Sequence, residues 1–253
     1  MQMLDLRTYR PRADLLKDRV ILVTGAEDGI GRAAAFGFAA HGATVVVLGK
    51  TVAKLETLYD IIVQADYPEP AIYPMDLLGA QPDDHWTLAE RVEAEFGRLD
   101  GLLHNAARLG TLTPIEHYDP RSWVETLQVN LTAAFFLTQA CLPLIKSAPD
   151  ASIVFTSADV GRKGRAYWGA YAVSKFGLEG LMQVLADELE QTPTLRVNSI
   201  DPGPVRTHLR AQAYPAEDPN RLPPPEAVLG AYLFLMGPDS RDVNGETLSA
   251  QPG

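Results

Sequence analysis

"VILVTGAEDGIGRAAAFGFAAHG", residues 20–42, passes from a short apolar, β-branched run into a helix-length, alanine-rich one through Gly25, Gly29 and Gly31. The G-x-x-x-G-x-G spacing lets the backbone turn tightly, allows close approach of a pyrophosphate and brings helix and strand together, while the helix N-terminus favours the anion. Glycine triplets alone say little. This one follows the first predicted strand and opens the first predicted helix, which is the context the mechanism requires. The stretch therefore predicts a dinucleotide-binding turn. The competing phosphate loop, which ends in G-K-[ST], is absent.

Outward from this turn, apolar runs alternate with helix-length segments. The spacing predicts strands at "VILVT" (20–24), "TVVVL" (44–48), "AIYPMDL" (71–77), "GLLHN" (101–105), "SIVFTS" (152–157), "RVNSI" (196–200) and "ETLSA" (246–250). The early strands are apolar on both faces, as in a parallel sheet covered by helices on each side. The expected fold class is α/β, a single-domain doubly wound parallel sheet of about seven strands. Residues 1–18 read as an N-terminal arm and 19–253 as the domain. The proline-rich, polar stretch 203–225 is long for a connection and reads as a lid, or else as a disordered surface loop.

With 253 residues, 46% of them hydrophobic, the chain can bury one sizeable core. Its net charge of −10 argues against general binding to nucleic acid or to an anionic membrane. The single cysteine, Cys141, cannot form an internal disulfide and points to a reducing compartment, the cytoplasm by default. The first twenty residues carry charges throughout and lack the apolar core of a secretory signal. "LTAAFFLTQACLPLI", 131–145, is too short to span a bilayer and reads as a buried helix. The histidines at 41, 85, 104, 117 and 208 show no ligand spacing, so no metal is expected. No G-x-S-x-G elbow supports serine hydrolysis.

"YAVSK", 171–175, sets Tyr171 and Lys175 one helical turn apart on a common face. A neighbouring ammonium favours phenolate, so such a pair is expected to lower the tyrosine pKa and fit it to shuttle protons. After the second strand, where an acidic side chain would bind a ribose 2′-hydroxyl, the chain offers Gly49 and then Lys50, which suits a 2′-phosphate. NADP(H) is therefore favoured, with NAD(H) the alternative. Glu27, inside the glycine loop, is the feature that opposes the phosphate.

These motifs resemble the short-chain dehydrogenase/reductase family from about Arg19 to the C-terminus. "TGAEDGIG" (24–31) is similar to its cofactor loop, "HNAA" (104–107) to its N-N-A-G strand end, and "DPGPVRT" (201–207) to the segment holding the nicotinamide. "LVTGAEDGIGR", "VGRKGRAYWGAYAVSKFGLEG" and the closing "SAQPG" resemble a YciK-type bacterial oxidoreductase branch. Asn130, Ser157, Tyr171 and Lys175 fall in the family's catalytic order. The resemblance implies a Rossmann-like oxidoreductase exchanging hydride between a nicotinamide dinucleotide and a carbonyl or alcohol. Tyr171 would be the acid/base, Lys175 would lower its pKa and bond the nicotinamide ribose, and Ser157 would be a second donor to the substrate oxygen. Asn130, costly to bury unpaired, would hold a relay water linked to Lys175.

Cofactor binding is implied for Gly25, Asp28, Gly29, Ile30, Gly31, Lys50, Asp76, Leu77, Asn105, Ala106, Tyr171, Lys175, Pro202, Gly203, Val205 and Thr207. Within this set Asp76 would contact the adenine, Asn105 would support the central strand, and Thr207 would bond the carboxamide. His104 and Ala107 depart from the family's Asn and Gly. The family also implies a homodimer or homotetramer packed through the 123–145 and 168–190 helices, with Cys141 buried. The alternative function is a non-catalytic dinucleotide-binding sensor or scaffold. Six cations, Arg108, Arg162, Lys163, Arg165, Arg206 and Arg210, are expected to border one cleft and favour an anionic carbonyl substrate, with Trp168 and Tyr214 giving apolar contact.

Overall fold

The seven apolar runs become β1 (Val20–Thr24), β2 (Thr44–Gly49), β3 (Ala71–Pro74), β4 (Gly101–His104), β5 (Ala151–Thr156), β6 (Leu195–Asp201) and β7 (Thr247–Ser249). In the computed structural model, which describes residues 6, 8–192 and 194–251, they pair in parallel in the order β3-β2-β1-β4-β5-β6-β7. Residues 1–5 and 7 of the N-terminal arm and 252–253 of the closing motif lie outside the described residues. The third strand is shorter than expected. Pro74 has no N–H for a ladder, and beyond it only Met75 still bonds back, to the Gly49 carbonyl at 2.9 Å.

The helices are α1 (Gly29–Ala40), α2 (Val52–Gln64), α3 (Pro82–Phe96), α4 (Pro120–Leu127), α5 (Ala133–Lys146), α6 (Gly169–Glu188), α7 (His208–Ala213) and α8 (Leu229–Met236). On one face of the sheet Phe38 of α1, Leu55 and Leu58 of α2 and Tyr232 and Met236 of α8 form a core. Leu15 and Leu16 of the arm join that core, fully sequestered from water, each contributing about 1.5–3 kcal/mol by burial. On the other face the core is built from Leu88 and Val92 of α3, Leu137 and Cys141 of α5, and Met182 and Leu185 of α6.

Two segments differ from their sequence reading. A π turn, Gln128–Thr132, joins α4 to α5, so the helical run extends from Pro120 to Lys146. At 27 residues that run is long and apolar enough to cross a membrane by length and composition, unlike the 131–145 stretch alone, and half of its most apolar window is buried in the molecule. The 203–225 segment is not a bare loop. It carries α7 and a 3-10 turn, Pro219–Arg221, and Arg210 of α7 makes a two-bond ion pair with Glu217, both bonds 2.7 Å.

His104, at the end of β4, is buried, stacks on Phe155 at 4.7 Å and bonds Thr138 Oγ1 through Nε2 at 2.8 Å. Burial, helped by nearby His85, pushes its pKa down to about 3. The native state therefore resists a proton that the unfolded chain takes up near pH 6.5, so stability is present above that value and is lost as pH falls toward 3. The expected slope is up to about 1.4 kcal/mol per pH unit below 6.5. Denaturant unfolding at a series of acidic pH values should show it, and His104→Asn should flatten it.

Candidate active site

Because the strand order reverses between β1 and β4, the connections leaving these two strands run in opposite directions and open a crevice at their C-terminal ends. A cleft of about 900 Å³ lies there. Its floor begins at the glycine loop. Gly25 has φ +64°, and a Cβ there would stand 2.9 Å from the Ala106 backbone, so only glycine lets β1 turn against the end of β4. Thr24 Oγ1 ties the two ends together, accepting the N–H groups of Asn105 at 3.0 Å and Ala106 at 3.1 Å. The Asn105 amide adds longer bonds to the carbonyls of Thr24 and Gly25. Asp28 caps α1 through Gly29 N–H at 2.7 Å.

Across the cleft, β5 ends just before Ser157, and α6 presents Tyr171 and Lys175 one turn apart. Ser157 is buried, and its hydroxyl oxygen has no hydrogen-bond partner among the described residues. Lys175 is 1% exposed and donates from Nζ to the Thr156 carbonyl at 2.7 Å. Its Nζ lies 5.5 Å from the Tyr171 ring centroid. Burial lowers the Lys175 pKa to about 8, against the opposing pull of Glu179 and Asp201.

The expected lowering of the Tyr171 pKa is not met. Burial, then the carboxylates of Asp201 and Asp159, push the phenol above its usual value. The Lys175 ammonium gives its hydrogen bond to the Thr156 carbonyl. The two carboxylates come from loops and strand ends remote in sequence, and spacing along α6 could not reveal them.

Asn130 occupies the π turn and is buried. Its Oδ1 accepts Arg108 N–H at 2.7 Å, while Nδ2 donates to the Arg108 carbonyl and to Ser174 Oγ, both at 2.9 Å. Both amide protons and one acceptor position are thus engaged, and none of these bonds reaches Lys175.

Every residue implied for cofactor binding lines the cleft except Gly31. A Cβ at Gly31 would fall 2.2 Å from the Gly25 carbonyl oxygen and 2.4 Å from Asn105 Nδ2. Its role is packing, and it forms no wall. Thr207 caps α7, accepting Arg210 N–H at 3.2 Å. Residues that the sequence reading missed also line the cleft, among them Thr51, Lys54 and Gln251. Gln251 Nε2 bonds the carbonyls of Pro202 and Pro204, holding the 202–205 loop. It lies in the closing "SAQPG", which marked a resemblance but gave no sign of this role.

The six expected cations do not gather at one mouth. Arg108 and Arg210 line the cleft, and Arg206 lines an adjoining cavity of about 530 Å³ with Arg210. Arg162, Lys163 and Arg165 line neither. Four are neutralised: Arg108 by Glu125, Arg162 by Asp201, Arg165 by Asp159 and Arg210 by Glu217. Trp168 and Tyr214 do line the cleft, 5.7 Å apart, with Trp168 the same distance from Tyr171.

Residues 19–218 match the family model for short chain dehydrogenases. The chain belongs to the short-chain dehydrogenase family. Within that family it is 50% identical to the uncharacterized oxidoreductase YciK of Escherichia coli (strain K12), over 97% of this chain and 96% of that one. The fold overlays a short chain dehydrogenase structure from Pseudomonas syringae with a TM-score of 0.94 at 56% identity, covering 96% of this chain and 98% of the other. A short chain dehydrogenase from Escherichia coli CFT073, solved in complex with NADPH, overlays with a TM-score of 0.93 at 51% identity, covering 96% of this chain and all of that one. Family membership makes the chain an NAD(P)-dependent oxidoreductase.

Proposed function

We propose that this chain exchanges hydride between NADP(H) and a carbonyl or alcohol substrate, with Tyr171 as acid/base. The observation that carries the reading is the Ser157 hydroxyl, buried without a partner among the described residues on the cleft that Tyr171 also lines. A buried hydroxyl left unbonded costs free energy unless a ligand completes it. It also argues against the binding-only alternative, which has no chemical need for that donor.

When bound, NADP(H) supplies or takes up the hydride. In the reducing direction the substrate oxygen gains negative charge, which Ser157 would stabilise by donating its O–H and Tyr171 would quench by transferring its proton. The raised phenol pKa keeps that proton in place at neutral pH. Lys175 would bond the nicotinamide ribose and return a proton to Tyr171. Asn130 retains one free acceptor position for a relay water after its three bonds. The adenosine end would be held by Lys50, Asp76, Leu77, Asn105 and Ala106, and the nicotinamide end by Pro202, Gly203, Val205 and Thr207, with the 203–225 segment as lid.

Trp168, Tyr214 and Leu109 give the substrate position an apolar wall. Of the six cations only Arg108 and Arg210 line that cleft, and both are paired with carboxylates, so the case for an anionic substrate group is weakened. Exposed Val124, Phe135, Val173, Phe176 and Val184 mark the α4–α5 and α6 surfaces as the faces for a homodimer or homotetramer. The compartment we assign is the cytoplasm, consistent with the free, buried Cys141 thiol, which burial pushes up to about 12.

Ser157→Ala tests the assignment. It should lower kcat about 100- to 1,000-fold, the usual loss for a removed oxyanion donor, with NADPH affinity and unfolding midpoint near those of wild type. Steady-state kinetics on any accepted carbonyl substrate would check it. Near-normal kcat would remove Ser157 from the mechanism.

A further inference from the structure

The end of β2 lacks the acidic residue that would bond a ribose 2′-hydroxyl, yet the structure places a carboxylate there. Glu27 reaches from the glycine loop to the start of α2. Its Oε2 accepts the Lys50 N–H at 2.8 Å, and its Oε1 accepts from Thr51 Oγ1 at 3.2 Å. A Cβ built on Gly49 would lie 1.6 Å from Glu27 Oε2. The carboxylate thus fills the volume that a side chain at position 49 would occupy. Gly49 has to be glycine for Glu27 to sit there.

This seat is also where an anion is favoured. Thr51 is the N-cap of α2 but makes no side-chain cap bond, and the first turn of α2 has no acidic residue. Glu27 therefore supplies the negative charge that a helix N-terminus attracts. Next to it, Asp28 engages the Lys54 ammonium at 2.7 Å. Two adjacent loop carboxylates thus hold the donors of the α2 start, and the Lys50 ammonium is left without a carboxylate partner among the described residues. Glu27, Lys50, Thr51 and Lys54 all line the main cleft.

We infer that Glu27 sets how strongly this chain discriminates between NADP(H) and NAD(H). Its carboxylate occupies the donors that a 2′-phosphate needs, and offers a 2′-hydroxyl an acceptor. This rests on the dinucleotide reading above and deepens it: the preference for NADP(H) is narrower than Lys50 alone would make it. To seat the phosphate, the Glu27 side chain must leave the Lys50 N–H, since two anions cannot share one donor set without repulsion. NAD(H) binds with Glu27 where it stands.

The test is calorimetric binding of NADP⁺ and NAD⁺, a pair differing only at the 2′ position, to wild type, Glu27→Gln and Glu27→Asp. The Gln variant keeps the size and removes the charge; the Asp variant keeps the charge and shortens the reach. Glu27→Gln should raise the ratio of NADP⁺ to NAD⁺ affinity about tenfold, and Glu27→Asp should raise it less. Unfolding midpoints near wild type would show that both variants fold. An unchanged ratio in Glu27→Gln overturns the inference while the dinucleotide reading stands. Failure of wild type to bind either nucleotide overturns the dinucleotide reading itself.

Discussion

Replacing Tyr171 by Phe is expected to cut turnover about 100- to 10,000-fold, the range that a positioned general acid or base contributes, and to leave cofactor binding almost untouched. The ring does structural work that phenylalanine can also do. It is 6% exposed, packs in a small cluster with Leu109, Val160 and Ala172, and stands 5.7 Å from Trp168. Only the phenolic proton is removed, and no other group with a transferable proton holds that position on α6. Kinetics, NADPH titration and thermal unfolding measured together separate the outcomes. Lost turnover with retained binding and stability supports the role, and near-normal turnover contradicts it.

Asp150→Ala should be the most destabilising single change at the opposite end of the sheet. Asp150 lies just before β5 and receives Arg19 at 2.5 Å, Arg196 by a short direct bond, and Arg241 at 3.4 Å. Arg196 is 2% exposed and also bonds the Gly237 carbonyl, while Arg19 bonds the Met236 carbonyl, so the cluster ties β1, β5 and β6 to the end of α8. Removing the carboxylate leaves buried guanidinium groups uncompensated, at a cost of about 3–5 kcal/mol. In a chain of this length that lowers the unfolding midpoint by roughly 6–20 °C.

The same cluster has a pH signature. Burial raises the Asp150 pKa, but the bonds and charges of Arg196 and Arg19 outweigh it and hold the carboxyl below its usual value. A depressed carboxylate pKa gives stability that is present above the unfolded value near 3.8 and is lost as pH falls through the folded one. Wild type should lose that stability in acid, and the variant should have none of it to lose. Equal midpoints at neutral pH would mean that the arginines find other partners.

The backbone scaffold was legible because its signals are local. Seven apolar, β-branched runs gave seven strands, and the glycine spacing at 25, 29 and 31 located the turn between β1 and α1. One helical turn between Tyr171 and Lys175 put both on the cleft. What the sequence could not show depends on side chains that meet across the fold. Arg162 reads as a free cation until β6 brings Asp201 against it. Glu27 reads as a loop carboxylate opposing the phosphate, but its seat on the Lys50 N–H and against Gly49 shows only once β2 is in place. Burial and carboxylates from two separate segments reversed the expected pKa shift of Tyr171. The π turn at 128–132 is a one-residue change in helical register with no compositional mark, yet it carries Asn130 to the Arg108 backbone.

A crystal structure of the NADP⁺ complex tests the central claim most directly. The account predicts the nicotinamide ring in the main cleft beside Ser157 and Tyr171, with the Lys175 ammonium on its ribose. A nicotinamide bound away from those three residues, or a dinucleotide seated outside the cleft, would contradict it.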